Sequence, residues 1–201
     1  MNRLRLTEFF NMRRILRACI ALIGASALLG TPAVRAFDAS SSDPIVAQGT
    51  LQAAFSPWDD IEALIISAID GAKKQVLVQA YLLTSKKIAQ ALIAAPQRGV
   101  GVMVLVDAAQ SAKVPSSKAQ DLSLAGIPVW LETRYQNAHN KVIVIDAGLA
   151  SATVITGSYN FTWSAQHKNA ENILIARKNP VLAARYALNW ERHRQGATAY
   201  K

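Results

Sequence analysis

The stretch QVLVQAYLLTSKKIAQALIAAPQRGVGVMVLVD, residues 75–107, determines which fold class the chain can adopt. Its two ends, QVLVQAYL and GVGVMVLVD, are runs of β-branched and apolar residues that predict strands. Between them, Thr84 or Ser85 is placed to cap a helix that Pro96 ends. The second run is almost continuously apolar, which is typical of a strand covered on both faces. The stretch therefore predicts two parallel strands joined by a helix.

The alternation of strand and helix continues on both sides of this unit. Upstream, LQAAF (51–55) predicts a strand, and Ser56-Pro57 predicts the start of a helix that ends at Gly71. Downstream, the predicted elements are a short helix capped by Ser116 or Ser117, strands at 127–132, 140–146, 151–156 and 171–176, and a final helix from Asn179-Pro180 to about Gln195. This order predicts an α/β fold: a mixed, largely parallel β-sheet flanked by helices on both faces.

The first 36 residues have the pattern of a secretory signal peptide. Arg13, Arg14 and Arg17 precede an apolar run from Cys19 to Gly30, and the small-residue exit ends at Ala36. The run is shorter than the roughly 20 residues that a membrane-spanning helix needs, although a retained anchor is the alternative. Translation starts at Met1 or Met12. We therefore predict a signal peptide at 1–36, a linker at 37–49, one folded domain at 50–201, and a periplasmic or secreted protein.

The charge of the chain is unevenly distributed. The 22 Lys and Arg exceed the 13 Asp and Glu, and loss of residues 1–36 leaves 16 basic and 12 acidic groups. Residues 134–201 hold nine of these basic groups and only three of the acidic ones. An anionic ligand is therefore expected to bind in this last third. Because Cys19 is the only cysteine, the mature chain can form no disulfide and offers no thiol nucleophile or thiolate metal site.

One predicted strand begins with His139-Asn140-Lys141, a combination that suits phosphate chemistry. Residues i and i+2 of a strand share a face, so the side chains of His139 and Lys141 project together. The ammonium group can neutralise a phosphate, and the imidazole can attack phosphorus or transfer a proton. Asp146 faces the other way by the same alternation, so we expect it to be structural.

Two further features follow in the same basic third. Gly157-Ser158-Tyr159-Asn160 comes directly after a strand, where Gly157 permits a tight turn and is expected to be structural. Ser158 and Asn160 supply hydroxyl and amide donors for phosphate oxygens. Glu171 begins the next strand, and a carboxylate beside an imidazole fixes its tautomer and stabilises its charged form.

Together these motifs resemble a known family. AHNKVIVID (138–146) followed by TGSYNF (156–161) is similar to the H-x-K-x4-D and G-S-x-N signature of the phospholipase D superfamily. Nearly all of residues 50–200 resemble the small bacterial endonucleases of that superfamily, which carry a single such motif. The chain departs from the pattern in one place, because ten residues rather than six separate Asp146 from Gly157. This predicts a longer hairpin loop after Asp146, which can alter access to the site.

The resemblance implies a mechanism and assigns roles to the residues. Family members form a covalent phosphohistidine and require no metal ion or other cofactor. By this resemblance His139 is the nucleophile or the acid, Lys141 and Asn160 bind phosphate oxygens, Ser158 assists, and Glu171 orients His139. The chain is then expected to be a metal-independent phosphodiesterase, a non-specific endonuclease acting on DNA, with RNA left open. A lipid phosphodiesterase of the phospholipase D type and a non-catalytic nucleic-acid-binding module are the alternatives.

The implied mechanism needs two imidazoles, whereas the chain has one motif. A homodimer is therefore expected, with no stable membrane partner once the signal peptide is cleaved. We reject His167 as the second imidazole because it lies in a polar stretch that predicts a solvated loop, and His193 because it lies in the last turn of the final helix. Trp163 is interpreted as a base-stacking or a core residue, and Trp58, Trp130 and Trp190 as packing residues.

Overall fold

An eight-stranded sheet organises the part of the chain that the computed structural model describes, residues 43–201. The predicted signal peptide and residues 37–42 of the predicted linker lie outside the described residues. The strands are β1 (Thr50–Ser56), β2 (Gln75–Ala80), β3 (Gly101–Asp107), β4 (Val129–Glu132), β5 (Lys141–Ile145), β6 (Thr153–Gly157), β7 (Glu171–Arg177) and β8 (Thr198–Ala199). Their order across the sheet is β1-β7-β6-β5-β2-β3-β4-β8.

The sheet is mixed, as predicted, but antiparallel pairs predominate. β2, β3 and β4 are parallel neighbours, whereas every other neighbouring pair of this described sheet is antiparallel. The prediction of a mixed sheet is therefore confirmed, but the prediction that most of its strand pairs are parallel was wrong. One physical reason is that only seven residues join β5 to β6, too few for a parallel crossover, so these two strands form a hairpin. β1 then adds antiparallel to β7 at the edge.

Helices cover both faces of the sheet, which confirms the predicted layers. On one face, Ile65 and Leu92 from two helices pack with Val78 of β2; on the other, Ala183 and Trp190 pack with Leu77. The helices are α1 (Ile61–Asp70), α2 (Lys86–Ala94), α3 (Ala108–Lys113), α4 (Ala119–Leu124), α5 (Trp163–His167) and α6 (Pro180–Gln195). None of the helices within residues 43–201 has both the length and the apolar composition to cross a membrane.

Two predicted helix starts are confirmed and two differ. Ser85 caps α2, and the Asn179 side chain caps α6 by accepting from the Leu182 amide. α1 begins later than predicted because the carboxylate of Asp60, not Ser56, accepts the first-turn amide. Ser56 instead ends β1, and its buried hydroxyl donates to backbone oxygens of the segment around α5. α4 begins without a side-chain cap rather than at Ser116 or Ser117.

The strand directions bring the predicted site residues to one edge of the sheet. The start of β5 lies beside the end of β2, the end of β6 beside the start of β5, and the start of β7 beside the end of β6. The predicted site residues therefore meet where these strands begin or end, and we call this end of the strands the site edge. They are His139, Lys141, Ser158, Asn160 and Glu171. β1 also ends there, because Ser56 is the register partner of Glu171.

Asp146 lies at the opposite edge, where it has a structural role. Its carboxylate accepts hydrogen bonds from the backbone amides of Lys73, Lys74 and Gln75 at 2.7–3.1 Å. The five residues of β5 separate it from the site edge by roughly 17 Å, at 3.3–3.4 Å per residue. The longer hairpin loop, residues 146–152, is present as predicted. It cannot alter access to the site as we expected, because it closes the far end of the β5–β6 hairpin.

Candidate active site

His139 and Lys141 are in contact at the start of β5. The Lys141 Nζ lies 2.8 Å from His139 Nδ1 and 2.8 Å from the His139 carbonyl oxygen, to which it donates. The imidazole is exposed, whereas Lys141 is 7% exposed. The structure thus brings together the two groups that the i, i+2 spacing placed on one face. A buried ammonium group beside an accessible imidazole is an arrangement that can hold a phosphate against a nucleophile.

The segment that carries His139 is held on both sides of that residue. The buried carboxylate of Asp107 accepts from the Ala138 amide at 2.8 Å while it also caps α3. The Tyr81 amide donates to the Asn140 carbonyl oxygen at 2.8 Å, and the Tyr81 ring lies 4.3 Å from the His139 ring. Sequence reasoning missed Tyr81 and Asp107. The signal available was their position, since each is a polar residue at the carboxyl end of a buried strand.

Ser158 and Glu171 form the second half of the site. The Ser158 hydroxyl donates to Glu171 Oε2 at 2.6 Å, and the side chain of Asn169 donates to Glu171 Oε1 at 2.9 Å. Both carboxylate oxygens are thereby engaged. We predicted that Glu171 orients His139, but no hydrogen bond joins these two residues in the described chain. The reason is geometric: Glu171 starts β7, two strands away from the start of β5.

The charge of Glu171 acts on Lys141. Burial lowers the pKa of Lys141 below its ordinary value of 10.5, and the nearby Glu171 carboxylate acts in the opposite direction. Lys141 is therefore a cation in a partly desolvated setting with one compensating anion at a distance. A bound phosphate would stabilise such a cation strongly, because the attraction between opposite charges is stronger where water is excluded.

Asn160 has an unpartnered polar atom. Its Oδ1 is buried and accepts no hydrogen bond from any described residue, which is rare for a buried polar atom. The NH2 group of the same amide supplies two donors. Asn160 can therefore present donors to a bound phosphate without giving up a bond inside the protein.

Gly157 is required for a reason other than the turn predicted from the sequence. A Cβ at this position would lie 2.2 Å from the backbone oxygen of Asn172 and 2.8 Å from the Cα of Ile173. β6 thus approaches β7 more closely than any side chain would permit. This approach places Ser158 within reach of Glu171.

Residues 65–193, well over half of the chain, match the family described as cardiolipin synthase, PLD-like domain. The chain belongs to the phospholipase D-like family. This confirms the resemblance drawn from the two motifs and makes the protein a phosphodiesterase hydrolase of that superfamily.

Several phospholipase D-like relatives cover most of the chain. A protein named phospholipase D from Rickettsia prowazekii is 37% identical over 145 residues, covering 72% of this chain and 68% of the relative. Another, from Rickettsia bellii, is 33% identical over 195 residues, covering 92% and 93%. A mitochondrial cardiolipin hydrolase from Xenopus laevis is 32% identical over 122 residues, covering 61% and 55%.

Two solved structures share the fold of this chain. Nuc from Salmonella typhimurium, a phospholipase D family member, superposes with a TM-score of 0.68 at 32% identity, covering 76% of this chain and 98% of Nuc. NucT from Helicobacter pylori superposes with a TM-score of 0.64 over 75% of this chain and all of NucT. At 21% identity the second likeness concerns the fold alone.

The other two histidines of this phospholipase D-like chain have partners of their own. His167 ends α5, not a loop as predicted, and its ring lies 4.8 Å from that of Trp163. The Nδ1 atom of His193, in α6, lies 2.5 Å from the buried carboxylate of Glu132, which also accepts from Gln79. Within residues 43–201, no three His, Cys, Asp or Glu side chains are grouped so that they could hold a metal ion.

Proposed function

We propose that the protein is an exported, metal-independent endonuclease that cleaves DNA through a phosphohistidine intermediate, with RNA left open as a second substrate. The observation that carries this proposal is the contact between the buried Lys141 ammonium group and the accessible His139 imidazole at the site edge. The Asn160 side chain supports it, because it lies at the same edge and its oxygen has no hydrogen-bond partner among the described residues.

The proposed reaction has two displacement steps at phosphorus. Neutral His139 attacks, a P–N bond forms, and the P–O ester bond breaks as a second, charged imidazole gives its proton to the leaving oxygen. Water then attacks the same phosphorus, the second imidazole takes a proton from the water, and the P–N bond breaks. Lys141 and Asn160 hold the non-bridging oxygens throughout, where negative charge develops.

The second imidazole is proposed to come from a second copy of the chain. His167 and His193 are engaged with Trp163 and Glu132, respectively. A two-fold axis at the site edge would bring two His139 side chains together in a homodimer. One imidazole must be neutral and the other charged, so the pH profile of the rate belongs to the pair and should be bell-shaped.

The charge of the last third of the chain favours DNA as the substrate, because this third holds nine basic groups and only three acidic ones. Lys141 and Lys168 of that third lie at or beside the site edge, and affinity from such groups falls as salt rises. The signal-like segment at 1–36 supports a periplasmic or secreted location, with cleavage near Ala36.

A lipid phosphodiesterase is the second candidate. The names of the relatives, phospholipase D and mitochondrial cardiolipin hydrolase, favour it. The same His, Lys and Asn would hold a lipid phosphate equally well, so the residues at the site edge do not distinguish the two substrates.

The proposed function is tested by digesting plasmid DNA with the mature chain, residues 37–201, in excess EDTA. We expect the wild type to cleave and the His139→Ala variant to be inactive, while a Lys113→Ala variant, altered on the exposed end of α3, should cleave like the wild type. Cleavage that depends on added Mg²⁺ would contradict the phosphohistidine route. Faster headgroup release from phosphatidylcholine or cardiolipin vesicles than cleavage of DNA would favour the lipid candidate.

A further inference from the structure

Trp163 is an exposed tryptophan directly beside the candidate site. Trp163 is 58% exposed, so it is not part of the core. It begins α5, three residues after Asn160, and the backbone between them is fixed by a bond from the Thr162 amide to the Asn160 carbonyl oxygen. A large aromatic surface exposed beside a ligand site is available to stack on a ligand.

The groups around the indole are aromatic and cationic. His167 lies one helical turn further along α5, with its ring 4.8 Å from that of Trp163. The Nζ atom of Lys168 lies 5.3 Å from the centre of the indole. We call Trp163, His167 and Lys168 the indole cluster. Its combination of a flat π surface and a positive charge matches a nucleotide, which offers a base to stack and a phosphate to neutralise.

The indole cluster is fixed relative to the phosphate-binding residues. Asn169, the next residue after Lys168, donates to Glu171, whose other oxygen accepts from Ser158. The buried hydroxyl of Ser56 donates to the backbone oxygens of Ala165 and Asn169 and thereby ties α5 to the end of β1. A base on the indole and a phosphate at Lys141 would therefore be held in one frame.

We propose that the indole cluster is a stacking platform for a base of single-stranded nucleic acid, next to the phosphate that is cleaved. Lys168 neutralises a flanking phosphate. This inference rests on the proposed function and adds its substrate class, since the face of a base is accessible only where the strand is unpaired. A lipid surface fits less well, because the indole is flanked by a histidine and a lysine rather than by other apolar groups.

The inference is tested by binding of labelled oligonucleotides to the His139→Ala protein, which does not cleave. Trp163→Ala should weaken binding of a thymidine oligonucleotide by about tenfold, ~1.4 kcal/mol. Trp163→Phe should stay within about threefold, because it keeps a ring. Leu124→Ala is the matched control: Leu124 is an apolar residue that is 80% exposed at the end of α4, away from the site edge, so its loss should leave affinity unchanged.

An abasic oligonucleotide separates stacking from a structural effect. With the bases removed, the proteins with and without Trp163 should bind equally, since only the stacking term differs between them. Equal weakening on the abasic strand, or on duplex DNA, would overturn the inference. Loss of the dimer in the Trp163→Ala protein would also overturn it, because the cluster would then be a subunit contact. So would a Trp163→Ala protein that binds phosphatidylcholine vesicles more weakly but binds oligonucleotides normally. If the His139→Ala protein binds no nucleic acid at all, the proposed function itself fails.

Discussion

Lys141 is the residue at which stability and function are expected to conflict. Burial lowers the pKa of Lys141 below 10.5, so the folded protein holds this proton less tightly than the unfolded chain does. The burial penalty is therefore present in full at neutral pH, and it is relieved as the pH rises through the folded-state pKa towards 10.5. Without a bound phosphate, the buried charge of Lys141 therefore lowers the stability of the folded protein at neutral pH.

The first prediction follows for Lys141→Met, which keeps the length of the side chain and removes the charge. The variant should lose cleavage and unfold at a higher temperature than the wild type, by about 2–4 °C for each kcal/mol gained. Thermal unfolding measured from pH 7 to pH 10 should show the difference shrinking as the pH rises. A variant less stable than the wild type at pH 7 would show that the ammonium group stabilises the fold.

Asn160 gives the second prediction, in which activity changes and stability does not. Asn160→Ala breaks no side-chain hydrogen bond of the protein, so the free energy of unfolding should stay within about 0.5 kcal/mol. Loss of a donor to the transition state should lower kcat about 10²–10³-fold. The matched control is Asn179→Ala, which removes the cap of α6 and should cost about 1 kcal/mol of stability with kcat unchanged. An Asn160→Ala enzyme with normal kcat would remove Asn160 from the site.

At the scale of elements, the close approach of β6 to β7 holds Ser158 against Glu171. Gly157→Ala would press a methyl group against the Asn172 backbone, so we predict a cost of about 1–3 kcal/mol together with loss of activity. Gly101→Ala provides a control in β3, because a Cβ there meets nothing closer than 3.7 Å. Denaturant unfolding and plasmid digestion measure the two effects. Equal stability of the two variants would contradict this account of the strand pair.

Most of the strands and helices could be predicted from the sequence, whereas α3, α5 and β8 could not. Apolar runs and caps such as Ser85 and Asn179 located the strands β2 and β3 and the helix α6. α3, α5 and β8 have six, five and two residues, too few for a periodic pattern to be recognised. The cap of α1 was misplaced because Ser56-Pro57 imitates a helix start, whereas Asp60 provides the actual one.

The contacts of the site depend on strand register, which a single sequence does not specify. The His139–Lys141 contact is local and followed from the i, i+2 rule. The Ser158–Glu171 bond spans 13 residues and depends on which strand lies beside which. The sequence and its resemblance to the family therefore placed Glu171 in the site, whereas the hydrogen bond that Glu171 accepts from Ser158 depends on the pairing of β6 with β7.

At the scale of the whole molecule, the two edges of the sheet have separate tasks, and Asp146 tests that separation. Asp146→Ala leaves three backbone amides without their acceptor, so we predict a loss of at least about 1–3 kcal/mol in the free energy of unfolding. Because Asp146 lies at the edge away from His139, kcat per folded molecule should be unchanged well below the melting temperature. A large fall in kcat at full folding would mean that the two edges are coupled.

The most direct test of the central claim is to trap the covalent intermediate. Mature protein is mixed with a short labelled DNA strand in excess EDTA, quenched in alkaline denaturant within the first turnover, and digested for mass spectrometry. We predict a nucleotide joined to His139 through a P–N bond that is stable in base and hydrolysed in acid. This adduct should be absent from the His139→Ala variant. Steady cleavage in EDTA with no adduct on His139, or with the adduct on another residue, would contradict the mechanism.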